Sequence, residues 1–260
     1  LAVNLDVRLA ESETFEIYAI EILKEFPQVE RINMADEQGN FLMIKRMPDG
    51  SVATKMVSRN QPPATVTWKY RDAAGTVIKT EKTANPVYDP RERPWYRGAK
   101  ISGRTHWTDV YIFFTDKKPG ITVSHPVIRE DGAFFGVLGL DMGLEGMSRF
   151  LKSLRIGKSG IAFIMNDKRE VIAHPDFPSA AATGEGKLRP VLLSELKEEW
   201  IEPFSTAVDK TGEAFFNFEA NAENYISALI DFPETFAGQW VGVIVVPEDD
   251  FLDPLKKTRL

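Results

Sequence analysis

Short strand-like runs separated by tight turns recur along most of this chain, and they restrict its fold more than any other feature. The first two runs, residues 29–34 and 41–46, flank a turn at Gly39 and Asn40. Six more runs follow in the first half of the chain: residues 51–57, 66–70, 77–82, 110–114, 120–127 and 134–142. Because few helical segments separate them, these runs predict antiparallel sheets rather than a doubly wound parallel sheet.

A second set of runs begins after residue 157 and has the same character. Its members are residues 160–166, 171–173, 213–218, 223–230 and 239–246. Within this set we predict a loop over residues 176–190 and a short helix over residues 191–200. A further helix is predicted before this set of runs, from the helical spacing of Leu144, Met147, Leu151 and Leu154. We therefore place the boundary between two modules at residues 155–159.

The N-terminal part of the chain has helical rather than strand-like spacing. Apolar side chains recur on one helix face, and Pro27 ends the pattern. These side chains are Phe15, Tyr18, Ala19, Ile22, Leu23 and Phe26. Extended back towards Leu1, the helix would have about 25 residues and a length of about 37 Å. Such a helix is either a packing brace or a stalk.

The composition excludes several classes of site. The 260 residues contain no cysteine, which rules out disulfides, thiolate nucleophiles, zinc ribbons and iron–sulfur clusters. The net charge of −6 argues against sequence-independent binding to nucleic acid. The longest apolar run, residues 133–140, is too short to span a bilayer. No basic-then-apolar leader is visible either. Because the first residues already have helical spacing and residues 253–260 are polar and basic, both ends look cut, and we expect the chain to be an excised piece of a longer protein.

The segment from Tyr88 to Tyr96 concentrates groups that recognise anions. Arg93 lies five residues after Tyr88, and Trp95 and Tyr96 follow it closely. Two prolines in the segment predict a stiff loop rather than a helix. A guanidinium fork suits a carboxylate or phosphate, and indole and phenol groups can add donors.

A purely structural role for Arg93 is the alternative. It could form a surface cation–π pair with Trp95, or an ion pair with Asp89 or Glu92.

Several motifs resemble the double Cache (dCache) family of extracytoplasmic sensor domains. In the first half these are the run DPRERPWYRGA, then WTDVY at residues 107–111, then GVLGLD at residues 136–141. In the second half, residues 160–166, 171–176 and 244–249 resemble the membrane-proximal Cache module. The likeness covers nearly the whole chain, and the motifs occur in the family's order.

The resemblance implies an α+β fold with a long N-terminal helix and two PAS-like modules, each a central antiparallel sheet with flanking helices. It assigns residues 1–28 to the helix, 29–156 to a membrane-distal ligand-binding module and 157–248 to a membrane-proximal module. Residues 249–260 would lead to a transmembrane helix. Such domains lie between two transmembrane helices and control a cytoplasmic output such as a histidine kinase or a chemoreceptor.

One subgroup of the family binds amino acids, and its pattern matches six residues here. They are Tyr88, Arg93, Trp95, Tyr96, Tyr111 and Asp141. The resemblance implies that Arg93, helped by the Trp95 indole and a tyrosine hydroxyl, holds the α-carboxylate. Asp141 would accept from the α-ammonium, and a plain carboxylic acid would leave it unpaired.

Three assignments in this pattern have alternatives. Tyr111 competes with Trp107 and Asp109 for its position, and Asp141 could instead cap a helix over residues 143–154. Asp116, next to two lysines, is expected to be a solvated loop charge.

We therefore predict a non-catalytic, extracytoplasmic domain that binds a small molecule, an L-amino acid, and can form a homodimer through its N-terminal helix. An amine or small organic acid sensor, and a ligand-independent dimerisation or docking ectodomain, are the alternatives. No nucleic-acid partner and no cofactor are expected. No metal is expected either, because His106, His125 and His174 lack metal-ligand spacing. A structural role is expected for His174. A Gly-x-Ser-x-Gly elbow is absent from the sequence.

Overall fold

The computed structural model describes residues 13–72, 74–178, 180–182, 188–232 and 239–251. The chain divides into two compact units, Leu1–Gly143 and Leu144–Leu260. Each unit contains an antiparallel sheet with helices, so the predicted α+β fold with two modules is confirmed. The division lies 13 residues before the predicted one, at residues 143/144 rather than 156/157, and the helix that begins at Leu144 goes with the second unit.

Unit 1 contains helix α1 (Glu13–Glu25), helix α2 (Pro94–Ser102) and a nine-stranded sheet. The strands are β1 (Arg31–Asp36), β2 (Phe41–Arg46), β3 (Val52–Ser58), β4 (Thr65–Arg71), β5 (Val77–Ala84), β6 (His106–Trp107), β7 (Tyr111–Ile112), β8 (Pro119–Ile128) and β9 (Phe134–Gly143). Their order is β5-β4-β3-β2-β1-β9-β8-β6, with β7 beside β8. Strand β1 therefore lies at the centre, between β2 and β9.

The two faces of this sheet differ in character because side chains alternate along each strand. On one face Ile32 and Met34 of β1 pack with Leu42 and Ile44 of β2, against Leu23 of α1. On the other face the same strand presents Arg31 and Asn33. The register places Arg31 directly between Lys45 of β2 and Asp141 of β9. Polar groups from three neighbouring strands therefore meet on that second face.

Helix α1 buries only part of the apolar face that its sequence predicts. Ala19 and Leu23 are buried, whereas Tyr18, Ile22 and Phe26 are exposed. Glu16 is buried instead, and its carboxylate pairs with Arg71 of β4 and accepts from Thr54 of β3 at 3.2 Å. The described part of the helix has 13 residues, and its predicted extension to Leu1 lies outside the described residues.

The segment around Arg93 is helical, so the prediction of a loop there is wrong. A single 3₁₀ turn spans Pro90–Glu92, with Asp89 as its cap, and α2 starts at Pro94. The residues before both prolines are extended, as the proline rule requires. Proline is nevertheless favoured at the first helical position, where its missing N–H is not needed. Each proline here begins a helical turn.

Unit 2 contains helix α3 (Leu144–Ser153), helix α4 (Ile201–Thr211) and a seven-stranded sheet. The strands are β10 (Ile161–Asn166), β11 (Glu170–Ala173), β12 (Ala180–Ala182), β13 (Leu188–Leu192), β14 (Phe215–Ala220), β15 (Glu223–Asp231) and β16 (Trp240–Pro247). Their order is β12-β13-β11-β10-β16-β15-β14. The core of the unit gathers aromatic side chains, with Phe163 and Phe204 fully buried.

The predicted helix over residues 191–200 is wrong, because that stretch holds the end of β13 and a 3₁₀ turn at Leu193–Glu195. Burial alternates there: Val191 and Leu193 are buried and Leu192 is exposed. The helix begins at Ile201 instead and ends at Gly212, whose φ of 62° suits glycine.

No helix among the described residues is long and apolar enough to cross a membrane. The predicted C-terminal segment lies mostly outside the described residues.

His174 is buried in unit 2 beside Phe163 and Phe177, with ring centroids 5.5 and 5.0 Å away. Its Nδ1 accepts from the backbone N–H of Asp176 at 3.2 Å, and its Nε2 has no hydrogen-bond partner. Burial lowers the pKa of His174 to about 4. The imidazole is therefore neutral near pH 7 and packs as part of the core.

The stability of the chain should fall in mild acid because of His174. The pKa of His174 is lower in the folded than in the unfolded chain. Its contribution to the free energy of unfolding is therefore fully present above about pH 6.5 and is lost as the pH falls towards 4. We expect the free energy of unfolding to drop by about 2 kcal/mol from this group between about pH 7.5 and about pH 5, measured by urea denaturation. In His174→Asn this part of the drop should vanish, whereas His125→Asn, at an exposed histidine, should keep it. An unchanged pH dependence in His174→Asn would contradict the assignment.

Candidate functional site

A small cavity lies on the polar face of the unit 1 sheet, where the segment before α2 and the segment after β7 cover it. Five of the six predicted site residues line it: Tyr88, Arg93, Trp95, Tyr111 and Asp141. Its volume is about 20 Å³, enough for roughly one water molecule. Residues separated by more than 100 positions in sequence thus come together around one cavity.

Tyr96, the sixth predicted residue, does not line this cavity. It is buried in the core beside Trp95 and Phe134, and its hydroxyl donates to the backbone oxygen of Asp36 at 3.1 Å. Burial raises the pKa of Tyr96 to about 12, so the phenol stays protonated as a donor. Trp107 and Asp109, the competitors of Tyr111, do not line the cavity either.

Arg93 retains most of its hydrogen-bonding capacity for an anion. It is the extended residue just before α2, and its Nη2 donates to the backbone oxygen of Ile112 at 2.8 Å. Its guanidinium lies over the Tyr111 ring, 5.4 Å from the centroid. Asp89 pairs with Arg91 rather than with Arg93, and in the described part of the chain no carboxylate lies within ion-pair distance of Arg93. The cavity side of the guanidinium is therefore available to a ligand carboxylate.

Tyr88 and Trp95 form a buried aromatic wall next to Arg93. The Trp95 indole donates towards the Tyr88 hydroxyl, and burial raises the pKa of that phenol. Gly139 of β9 allows Trp95 to approach, since a Cβ there would lie 3.1 Å from its ring. The single N–H of Trp95 is thus already used, and the Tyr88 hydroxyl is the fixed, uncharged donor that this wall can present to a ligand.

Asp141 is held in place by a chain of hydrogen bonds. Its Oδ1 accepts from the Thr122 hydroxyl at 2.7 Å, and its Oδ2 accepts from Nη1 of Arg31 at 3.4 Å. Because a hydroxyl has one proton to donate, the Thr122 oxygen must accept from the Tyr111 hydroxyl, which lies 2.6 Å away. Burial raises the pKa of Asp141, and the nearby Arg31 opposes that change.

The helix-cap alternative for Asp141 does not apply. The residue lies inside β9, and α3 begins three residues later, at Leu144.

Arg31 is the most deeply buried charged residue at the site that the sequence analysis missed. Its side chain is 2% exposed, pairs with both Asp141 and Asp116, and lies over the Phe113 ring at 4.3 Å. The alternation in β1 would have identified it: Arg31 and Asn33 share one face, and Ile32 and Met34 share the other. Asn33 and Phe113 also line the cavity.

The expectation that Asp116 is a solvated loop charge is wrong. Its carboxylate pairs with Arg31 and, at 2.5 Å, with Nζ of Lys45. It lies in the turn after β7, which brings it back over the sheet. Asp116 thus joins β1, β2 and that turn into one polar cluster.

Metal binding finds no support in the described residues, since no group of three or more His, Asp or Glu side chains has a suitable arrangement there.

The comparisons with known proteins agree with this architecture. The model of the Cache domain family matches residues 18–255. Among curated proteins, the chain is 36% identical over 89 residues to the methyl-accepting chemotaxis protein PctB of Pseudomonas aeruginosa and 40% identical over 103 residues to McpG of Pseudomonas putida. These matches cover 34% and 39% of this chain but only 14% and 16% of the relatives. The chain therefore corresponds to a small part of each relative.

Among solved structures, the chain resembles the ligand-binding domain of the Campylobacter jejuni chemoreceptor Tlp3 in complex with L-valine. The TM-score is 0.54 at 15% sequence identity, and the match covers 95% of this chain and 77% of that one. At this identity the likeness shows a shared fold.

Removal of the Arg31 charge should destabilise unit 1, because Asp141 would lose its cation inside the fold. For Arg31→Met we expect a loss of about 3 kcal/mol in the free energy of unfolding, measured by urea denaturation. The matched control is Lys24→Met, which removes an exposed ion pair with Glu21 and should cost less than about 1 kcal/mol. Equal losses in the two variants would show that the Arg31 cluster contributes no more than a surface pair.

Proposed function

This chain belongs to the double Cache (dCache) family of Cache domains, and from that membership we propose that it is the ligand-binding domain of a transmembrane receptor. The domain is non-catalytic and extracytoplasmic, and transmembrane helices flank it in the full receptor. Its ligand is a free L-amino acid, bound in the cavity of unit 1. The resemblance to chemotaxis receptors makes a chemoreceptor or a related signalling protein the parent chain.

The observation that carries this proposal is the presence of two opposite charges, Arg93 and Asp141, in the lining of one cavity. Arg93 has no carboxylate partner among the described residues and suits the α-carboxylate, while Asp141 accepts from the α-ammonium. Tyr88, Trp95 and Tyr111 supply neutral contacts between the two charges. An amino-acid zwitterion carries an ammonium and a carboxylate group on one carbon. Asp141 and Arg93 complement these two groups.

The cavity must open before a ligand can enter. Its volume of about 20 Å³ is much smaller than any amino acid, and Arg31 occupies the side next to Asp141. A ligand ammonium would compete with Arg31 for the Asp141 carboxylate, and Asp116 would keep Arg31 paired. Binding then favours an opened arrangement of the sheet and its covering segments, to the extent that the ligand's affinity for the two states differs.

A small dicarboxylic acid is the second candidate, and the Arg31–Asp141 pair favours it. Because Arg31 already neutralises Asp141, a ligand without an ammonium group would not leave that carboxylate unpaired. Titration with glutarate and L-glutamate separates the two candidates. Tighter binding of glutarate would favour the organic acid.

Amino-acid binding should depend on Arg93 and Asp141 together. In Arg93→Ala and Asp141→Ala, we expect isothermal titration with the twenty amino acids to show no heat of binding, with the circular dichroism spectrum unchanged. Arg91→Ala is the matched control, since Arg91 is a neighbouring exposed arginine paired with Asp89. In the unmutated chain a ligand at 100 times its dissociation constant should stabilise the fold by about 2.7 kcal/mol. Binding that survives either substitution would refute the assigned roles.

A homodimer through α1 is part of the proposal. An apolar stripe is formed by Ile17, Tyr18 and Ile22 of α1 and by Phe26 just after it, which are 58%, 65%, 39% and 50% exposed. Such a stripe is typical of a surface that another protein covers.

Charges placed in this stripe should abolish the dimer. We expect Tyr18→Glu with Ile22→Glu to sediment as a monomer at concentrations where the unmutated chain is dimeric, with no loss of thermal stability in unit 1. A dimer that persists in the double variant would place the interface elsewhere.

A further inference from the structure

A buried lysine lies beside the cavity without an anionic partner. Lys55 of β3 is 8% exposed, and in the described part of the chain no carboxylate pairs with it. A buried ammonium group ordinarily has an acceptor or a counter-ion. Burial lowers the pKa of Lys55, and the charge of the more distant Asp116 opposes this change.

The sheet register places Lys55 on the same face as the cavity. Lys55 lies opposite Met43 of β2, and Met43 lies opposite Asn33 of β1. Residues directly opposite each other in an antiparallel sheet point to the same side. Met43 and Asn33 both line the cavity. Lys55 is the next residue in the same cross-strand row, one strand further from β1.

The Nζ atom of Lys55 is surrounded by aromatic rings, two of which also line the cavity. It lies 5.2 Å from the Tyr88 ring centroid, 5.9 Å from that of Phe114 and 5.6 Å from that of Trp68. Cation–π contacts of this kind offset part of the cost of burial and leave all three N–H donors free. The flexible four-carbon stem of lysine can bring the ammonium to an acceptor at the cavity wall.

The charges around the cavity are unbalanced by one positive charge. Of the charged residues that line it, two are cations, Arg31 and Arg93, and one is a carboxylate, Asp141. A neutral zwitterion would leave the excess in place. A zwitterion with one more carboxylate would remove it.

We propose that Lys55 binds a second carboxylate of the ligand, so that the amino acid taken by this cavity carries an acidic side chain. This inference rests on the proposed function, and it adds the class of side chain. The α-carboxylate is assigned to Arg93, the α-ammonium to Asp141 and the side-chain carboxylate to Lys55. Specificity then comes from a buried ammonium that an uncharged side chain leaves without an acceptor.

The test compares acidic amino acids with their amides, which have nearly the same shape. In calorimetric titration of the 260-residue chain, we expect L-glutamate or L-aspartate to bind at least about 10-fold more tightly than L-glutamine and L-asparagine. In Lys55→Met this preference should disappear through weaker binding of the acid, with the affinity for the amide changed less than about threefold. Lys55→Arg should keep the preference. Lys79→Met is the matched control, because Lys79 also lies over a tyrosine ring but is exposed and already pairs with Glu81.

Each contrary result has a distinct meaning. Amides that bind as tightly as the acids, or a Lys55→Met variant that weakens both classes equally, would overturn the role of Lys55 and leave amino-acid binding intact. If none of the twenty amino acids binds to the folded chain, the proposed function itself fails, and the role of Lys55 fails with it.

Discussion

The alternation of side chains along β1 is the constraint on which unit 1 depends. One strand supplies Ile32 and Met34 to the apolar face that α1 covers, and Arg31 and Asn33 to the polar face that holds the cavity. A shift of one residue in its register would exchange the two sets. The core and the candidate site are therefore specified by the same hydrogen-bond ladder, with β2 on one side and β9 on the other.

The polar face is a cluster of charges that hold one another in position. Arg31 lies between Asp141 and Asp116, and Asp116 also pairs with Lys45. Charges buried in this way cost more to remove singly than to keep together. Arg93 and Lys55 differ from this cluster, because neither has a carboxylate partner among the described residues. Cations of that kind are the ones that a ligand can satisfy.

Most of the fold followed from local patterns, and the errors have identifiable causes. Strands β8 and β9 were predicted within two residues because their ends coincide with turns. Helix α2 was missed because Pro94 was read as a helix breaker, whereas it occupies the first helical position. The prediction of the buried face of α1 was only half right, because Glu16 takes a buried position through its pairing with Arg71. Sequence spacing alone does not contain that tertiary contact.

The placement of Arg93 and Asp141 at one cavity was predictable, because a motif or a strand end marked each residue. The site was not predictable where the role of a residue depends on its cross-strand neighbours. Lys45 and Lys55 look like ordinary strand lysines until the register places them beside Arg31 and Met43. Asp116 looks like a loop charge until the turn after β7 returns it to the sheet.

The buried pair of Glu16 and Arg71 has a mechanical consequence. A slide of α1 by one residue along its axis would carry the carboxylate about 1.5 Å and rotate it by about 100°, away from its partner. The charge would then be buried without compensation. The pair therefore opposes a slide of α1 over the sheet and ties the helix to strands β3 and β4. The exposed stripe at Tyr18 and Ile22 lies on the helix that this pair fixes to the sheet.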